Sequence, residues 1–203
     1  MLGKKNCGKK PYPMGSLDAG IMNEKSKLSI SGLRSIIQVK GESMKFTAKN
    51  HLLYQDGRLV PQHPSPNHGG VTKPRIIVIH YTATEGLESP LSWLTNRQSK
   101  VSAHLIVDKD GTVYQLLPFN VVGWHAGVSS YEGQSGVNSF SIGIENVGTG
   151  KTWPDAQIEA NRAIIAALYE AYPTIEDTVG HEDVAPGRKV DPGPRYPWDQ
   201  VTT

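Results

Sequence analysis

The distribution of apolar residues predicts a folded body preceded by a polar tail. Residues 1–43 are dominated by Gly, Lys, Ser, Pro and Asn, and their apolar cluster at residues 33–39 is too short to bury a core by itself. Residues 75–80 form a largely β-branched run, which predicts a central buried strand. Residues 152–172 place apolar side chains on one face at helical spacing, so we expect the clearest helix there.

Shorter patterns occupy the rest of the body. Ser89 and Pro90 begin a short helix that reaches about Gln98, because a capping serine followed by proline is typical of a helix start. Thr152 and Asp155 are placed as a capping pair for the long helix. The other expected elements are a hairpin at residues 51–60 around Asp56-Gly57, a loop at residues 61–74, a hairpin at residues 102–117 around Lys109-Asp110-Gly111, and a strand at residues 140–147.

From residue 75 onward the main strands and helices follow one another in the order β-α-β-β-β-α, and no internal repeat is visible. This order predicts an α/β fold in which helices flank a mixed central β-sheet. We expect a single domain over residues 44–203 and a basic, flexible N-terminal extension over residues 1–43.

The charge of the chain divides at the same boundary. The whole chain has 21 Lys and Arg against 19 Asp and Glu, a formal net charge of +2. Residues 1–43 contain eight basic and three acidic residues, a local charge of +5, which leaves −3 for residues 44–203. The basic excess therefore belongs to the tail, and we expect no nucleic-acid partner for the body.

Several other protein classes are excluded. The single cysteine, Cys7, has no partner for an intramolecular disulfide, so the chain is not a disulfide scaffold. No stretch approaches the roughly 18 apolar residues that cross a bilayer, and residues 1–30 lack the apolar segment of a secretory signal. We expect a protein made in the cytoplasm, without a transmembrane segment, and a monomer.

The histidines give the first indication of chemistry. Three of them lie in the polar region before the buried strand and are expected to be exposed: His51, His63 and His68. His80 ends the buried strand, and His181 follows the long helix, ten residues before Asp191. Two imidazoles and a carboxylate near a strand end are the ligand set of an open zinc site. The separation of 101 residues between His80 and His181 is unlike a local zinc motif, so spacing alone favours structural histidines.

Six blocks of sequence follow one another along the body. They are Ile79-His80-Tyr81-Thr82-Ala83-Thr84, Val101-Ser102-Ala103-His104, Asp110-Gly111-Thr112-Val113-Tyr114-Gln115, Trp124-His125-Ala126-Gly127, Asn138-Ser139-Phe140-Ser141-Ile142-Gly143-Ile144-Glu145, and residues 180–193. In this order they resemble the type 2 N-acetylmuramoyl-L-alanine amidases. That family includes the AmpD-type enzymes, amidase-type phage endolysins and peptidoglycan recognition proteins. The resemblance covers roughly residues 50–198, nearly all of the body.

The resemblance implies a zinc ion bound by His80, His181 and Asp191. Some relatives have a cysteine at the last of these positions, whereas this chain has a carboxylate. Glu145 matches the acidic residue that takes a proton from water and passes it to the leaving amine. Lys189 matches the lysine that, with the metal, stabilises the oxyanion of the tetrahedral intermediate. Without the resemblance, the two would be a strand-end carboxylate and a surface charge.

Two further blocks concern the substrate groove. Some phage relatives have a catalytic tyrosine immediately before the histidine of the Ser-Ala-His block, and here Ala103 occupies that position, which favours Glu145 as the proton carrier. His104 is expected to be structural, a hydrogen-bonded wall of the cleft. Trp124 and His125 belong to a loop that lines the substrate groove in the family. We therefore expect both to bind substrate, with a packing role as the alternative for Trp124.

The implied function is hydrolysis of the amide between N-acetylmuramic acid and L-alanine in bacterial peptidoglycan or muropeptides. The main expectation is a lytic phage or prophage endolysin that acts on intact cell wall and reaches it through a holin. One alternative is a cytoplasmic AmpD-type enzyme that recycles anhydro-muropeptides, and another is a non-catalytic peptidoglycan-binding module. The basic extension is then either an upstream segment without function, which we favour, or an arm attracted to the anionic wall.

Overall fold

A computed structural model describes residues 43–202 of the 203-residue chain. The predicted extension over residues 1–43, with Cys7, lies outside the described residues apart from Ser43. None of the described helices is long and apolar enough to cross a bilayer.

The strands are β1 (Phe46–Lys49), β2 (Leu52–Gln55), β3 (Arg58–Leu59), β4 (His68–Val71), β5 (Ile76–Tyr81), β6 (Leu105–Val107), β7 (Val113–Gln115), β8 (Val121–Gly123), β9 (Ser130–Tyr131), β10 (Gln134–Ser135), β11 (Ser141–Asn146) and β12 (Asp177–Gly180). The α-helices are α1 (Glu88–Thr95), α2 (Asp155–Ala171), α3 (His181–Val184) and α4 (Trp198–Val201), and short 3-10 turns cover Arg97–Ser99 and Val137–Phe140.

The central sheet has the strand order β12-β5-β11-β6-β7. The first four strands run parallel, and β7 is antiparallel to β6, so the predicted mixed sheet and the predicted hairpin of these two strands are confirmed. A separate small sheet contains β1, β2 and β3. The hairpin of β2 and β3 turns at Asp56 and Gly57, whose φ angles of 49° and 76° suit the tight turn predicted there.

Side chains alternate along β5 and β11, and one face of the sheet forms the main core. Ile77 and Ile79 share this face with Ile142 and Ile144, and all four pack in one buried cluster with Ile164 of α2. Because parallel strands bury both faces, the continuous apolar run of β5 is explained by its central position in the sheet.

The opposite face begins apolar and ends polar. Ile76 and Val78 pack with Val179 of β12 in a second core cluster. The next residue of β5 on this face is His80, which pairs in register with Glu145 of β11. The carboxyl end of parallel strands is the edge at which open α/β sheets bind ligands, so the fold places two polar side chains where a site is expected.

Two local predictions are wrong. Helix α2 begins at Asp155 rather than Thr152, its N-cap is Pro154, and no side chain caps it, so Thr152 and Asp155 are not a capping pair. Asp155 instead lies in the first turn, where its charge is favourable to the helix dipole. Residues 61–74 are not entirely a loop, because they contain β4, a strand without apolar alternation that pairs with β8. The three histidines before β5 are exposed, as predicted.

Buried amide side chains connect α2 to the sheet beneath the site. Asn161 donates a hydrogen bond of 2.6 Å to Asn146 Oδ1, and Asn146 Nδ2 donates one of 3.0 Å to the carbonyl of His80. Gln157 Nε2 donates to the carbonyl of Val107 in β6 at 3.1 Å and to that of Val147, directly after β11, at 3.0 Å. Since each of these buried groups is satisfied, the network holds the backbone of His80 in place from the helix side.

Candidate metal centre and catalytic cleft

Three chain segments bring two imidazoles and a carboxylate together at the carboxyl end of the parallel strands. His80 lies near the end of β5, and His181 directly follows the neighbouring strand β12. Asp191 lies in the loop after α3, and its carbonyl accepts the N–H of Glu182 at 2.8 Å. The three predicted metal ligands therefore converge, although they are far apart in the sequence.

The three ligand atoms form a tight, buried triangle. His80 Nδ1 lies 2.9 Å from His181 Nδ1 and 3.1 Å from Asp191 Oδ2, and His181 Nδ1 lies 3.0 Å from the same oxygen. Two imidazole nitrogens that face each other need a proton or a cation between their lone pairs. Ligand atoms of a tetrahedral zinc site are about 3.3 Å apart, given Zn–N and Zn–O distances of about 2.0–2.1 Å. The triangle therefore fits zinc held by three protein ligands.

The surroundings of the triangle set the protonation states that a cation requires. Burial lowers the pKa of His80 to about 4, so this imidazole is neutral near pH 7. Burial opposes the ionisation of Asp191, but hydrogen bonds with His181 and His80 outweigh it and hold the pKa of this carboxyl below its usual value. A neutral imidazole and an ionised carboxylate are the forms that bind zinc.

Glu145 lies beside His80 in the register of β11 and β5. Its Oε2 is buried and has no hydrogen-bond partner among the described residues. Burial, and then the negative charge of Asp191, raise the pKa of Glu145 to about 8, while the charge of Lys189 acts in the opposite direction. A buried carboxylate oxygen without a protein partner is costly, and this cost indicates a functional role for Glu145.

All the residues predicted for the site line one open cleft of about 480 Å³: His80, Trp124, His125, Glu145, His181, Lys189 and Asp191. A cleft of this size suits a small ligand. The Lys189 side chain is exposed, so its ammonium is accessible to a molecule bound in the cleft. The structure thus brings the predicted metal ligands, the predicted proton carrier and the predicted substrate-binding residues to a single place.

A family model described as N-acetylmuramoyl-L-alanine amidase matches residues 70–194, a range that includes every one of these site residues. The chain belongs to the N-acetylmuramoyl-L-alanine amidase family. The family and the enzyme class expected from the sequence blocks are thereby confirmed.

Two curated relatives of this chain are described as 1,6-anhydro-N-acetylmuramyl-L-alanine amidase AmpD. The protein from Escherichia coli is 46% identical over 101 residues, which are 49% of this chain and 55% of that protein. The match thus spans about half the length of the E. coli relative. The protein from Enterobacter cloacae is 36% identical over 173 residues, which are 73% of this chain and 92% of that protein.

Solved structures share the fold. The amidase AmiD from E. coli, in complex with anhydro-N-acetylmuramic acid-L-Ala-D-gamma-Glu-L-Lys, has a TM-score of 0.59 at 31% identity and covers 77% of this chain and 64% of its own. A mutant endolysin from Bacillus subtilis has a TM-score of 0.55 at 28% identity and covers 70% of this chain and 95% of its own. The predicted α/β architecture is therefore confirmed by relatives as well as by the strands themselves.

In this chain, the loop of the Trp-His-Ala-Gly block lies behind both imidazole ligands. His125 Nδ1 lies 3.0 Å from His80 Nε2, and the carbonyl of Ala126 lies 3.2 Å from His181 Nε2. Asn138 Oδ1 accepts the main-chain N–H groups of His125 and Ala126 at 3.1 and 2.7 Å. The loop is thus fixed in position, with the half-buried Trp124 on the cleft wall.

Sequence reasoning missed two residues of the cleft. Trp93 of α1 is 59% exposed and lines the cleft, and an exposed tryptophan at the rim of a pocket indicates a binding surface. The sequence could have indicated Trp93, because it is a tryptophan that lies off the buried side of a short helix. Arg188 donates hydrogen bonds to the carbonyls of Ala126 and Val128, so it ties the loop behind the ligands to the segment before Lys189.

His104 is a hydrogen-bonded structural residue, buried beneath the surface of the cleft. The ring is fully buried, its Nδ1 accepts the N–H of Gly143 at 2.9 Å, and its Nε2 lies 2.8 Å from the carbonyl of Val121. Burial lowers the pKa of His104 to about 4, so the ring is neutral near pH 7. Because both nitrogens bond to the main chain, His104 is structural, as predicted, but the ring does not line the cleft, so its expected place on the cleft wall is wrong.

Proposed function

We propose that this chain is a zinc-dependent amidase that hydrolyses the bond between the lactyl group of N-acetylmuramic acid and L-alanine in soluble anhydro-muropeptides. The proposal is carried by the triangle of His80, His181 and Asp191 beside the unpartnered carboxylate oxygen of Glu145. A module that only binds peptidoglycan needs neither three filled ligand positions nor such a carboxylate. The non-catalytic alternative is therefore not favoured.

The residues of the cleft divide the chemistry between them. His80, His181 and Asp191 would hold a zinc ion, which would supply a Lewis acid able to polarise a carbonyl and to favour the ionisation of water. In its ionised form, which the positive charge of a bound zinc ion would favour, Glu145 accepts a proton from the attacking water through its free oxygen and then donates it to the leaving amine nitrogen of L-alanine. Lys189 donates hydrogen bonds to the oxyanion, a contribution on the order of 3 kcal/mol. Trp124 supplies apolar surface for the bound substrate.

The relatives favour a soluble substrate over the intact wall. Both AmpD proteins carry an anhydro-muramyl substrate in their names, and AmiD was solved with an anhydro-muramyl peptide. The B. subtilis endolysin is less similar in sequence, at 28% identity against 46% and 36% for the two AmpD proteins. We therefore infer a cytoplasmic role in the recycling of anhydro-muropeptides, which the sequence indicates as an alternative to the endolysin role. The endolysin role and the holin route stay predictions without further support.

A comparison of two substrates tests this choice. The full-length, zinc-loaded protein is given a soluble anhydro-muramyl peptide and, separately, intact sacculi, and the released stem peptide is quantified by chromatography. We expect cleavage of the soluble fragment to be faster by about tenfold or more, which corresponds to about 1.4 kcal/mol of transition-state stabilisation. Rapid clearing of sacculi together with slow cleavage of the fragment would instead favour the endolysin role.

We also propose that residues 1–43 take no part in the hydrolysis, since every site residue lies between His80 and Asp191. A protein that begins at Met44 is expected to cleave the soluble fragment within about twofold of the full chain, the range of a surface change. If the extension attracts the anionic wall, its removal weakens binding to sacculi at low salt and has little effect at high salt. Loss of cleavage of the soluble fragment would contradict the proposal.

A further inference from the structure

The ring of His125 stands behind the ligand His80, on the side opposite the metal triangle. Its Nδ1 lies 3.0 Å from His80 Nε2, and its Nε2 lies 3.2 Å from Ser141 Oγ. The two imidazoles are nearly perpendicular, with an interplanar angle of 80° and centroids 5.1 Å apart. Ser141 Oγ donates a hydrogen bond of 2.7 Å to the carbonyl of Val137. A continuous chain of hydrogen bonds thus leads from the ligand into the protein interior.

Once His80 binds a cation through Nδ1, the hydrogen bonds from His80 to Val137 can all donate in only one direction, away from the metal. The neutral ring of His80 then carries its hydrogen on Nε2 and donates it to His125 Nδ1. Since His125 Nδ1 accepts, the hydrogen of this second ring is on Nε2, which donates to Ser141 Oγ. The hydroxyl hydrogen of Ser141 remains free for the carbonyl of Val137. Each donor and acceptor in this series of hydrogen bonds therefore has a partner.

The strand that carries Glu145 also makes room for the ring of His125. Ser141, Gly143 and Glu145 alternate along one face of β11. A Cβ atom at Gly143 would lie 2.5 Å from His125 Cγ, a distance that no side chain tolerates, so the ring packs directly on the glycine backbone. Asn138 fixes the main chain at His125. The ring is therefore held in one place by packing as well as by its two nitrogens.

We propose that His125 is a positioning residue for the metal centre: with Ser141 behind it, it selects the tautomer and fixes the orientation of His80, and thereby raises the affinity of the site for zinc. The inference rests on the proposed function, because it requires zinc between the three ligands. It assigns His125 a role different from the substrate contact expected from the sequence. Both ring nitrogens are occupied inside the protein, so neither is free for a substrate.

Zinc affinity measured without substrate tests the inference. Full-length wild type, His125→Ala, His125→Asn and Ser141→Ala are titrated against a chromophoric zinc chelator. We expect His125→Ala to bind zinc about 10- to 100-fold more weakly, the usual effect of losing the partner of a ligating histidine. His125→Asn keeps an acceptor for His80 Nε2 and is expected to recover most of the affinity. Ser141→Ala removes only the far end of the chain and is expected to have a smaller effect in the same direction.

Two controls separate positioning from packing and from substrate binding. The thermal midpoints of the zinc-free proteins report packing, and His63→Ala, at an exposed histidine, is expected to bind zinc like the wild type. At saturating zinc, His125→Ala is expected to keep the KM of the wild type. Unchanged zinc affinity in His125→Ala, a raised KM in its place, or no recovery in His125→Asn would each overturn the inference. A wild type that binds no zinc would overturn the proposed function as well.

Discussion

Replacing Glu145 by glutamine is expected to lower amide hydrolysis by about 10²- to 10⁴-fold while zinc remains bound. The range is that of a positioned group that transfers protons in the transition state. Glutamine has nearly the shape of glutamate but cannot accept a proton from water, and it leaves the three metal ligands untouched. The measurement is kcat/KM on a soluble muropeptide, together with the zinc content of the same sample by atomic emission.

The matched control is Glu88→Gln, the same substitution at an exposed glutamate in the first turn of α1, adjacent to cleft-lining Ser89. Its hydrolysis rate is expected to stay within about twofold of the wild type, the range of a surface change. Two outcomes would contradict the role of Glu145: a Glu145→Gln variant that retains its activity, or one that loses zinc together with activity. The second would indicate that Glu145 supports the metal rather than moving a proton.

Replacing His181 by alanine is expected to abolish both zinc retention and hydrolysis. The substitution removes one side of the triangle and leaves His80 and Asp191, too few ligands for a site that has three protein ligands to begin with. After dialysis, zinc content is expected to fall from about one ion per chain to near zero. Added zinc is expected to raise the thermal midpoint of the wild type and not that of the variant, because a ligand stabilises only the form that binds it.

His51→Ala is the control for this experiment, since His51 is an exposed histidine outside the cleft. It is expected to retain zinc and to show the same zinc-dependent rise in thermal midpoint as the wild type. Retention of a full zinc equivalent by His181→Ala would show that the ion is held elsewhere. The assignment of the triangle as the metal centre would then be wrong.

The sequence predicted the parts of this protein that depend on local pattern or on short blocks. The β-branched run ending at His80 identified the central strand, because a strand buried on both faces is apolar at nearly every position. The blocks around Glu145, His181 and Asp191 placed these residues in one site, and they do line one cleft. Such blocks identify the residues of a site, whereas the pairing of strands far apart in the sequence brings these residues together.

Features that depend on strand pairing or on the direction of a side chain could not be predicted from the sequence. Strand β12 has little apolar character of its own and exists through its pairing with β5, which sets His181 beside His80. The register that places Glu145 next to His80 is a property of two strands far apart in the chain. The block containing His125 placed that residue in the groove, but only the positions of Ser141 and Gly143 show which way its ring faces.

We propose above that the cleft hydrolyses the amide between N-acetylmuramic acid and L-alanine with the help of zinc. Mass spectrometry of a muropeptide digest, with and without prior removal of zinc by a chelator, tests it most directly. We expect free stem peptides with a new amino-terminal alanine, no new reducing sugar ends, and no products after zinc removal. New reducing ends, or the same peptides in the absence of zinc, would contradict it.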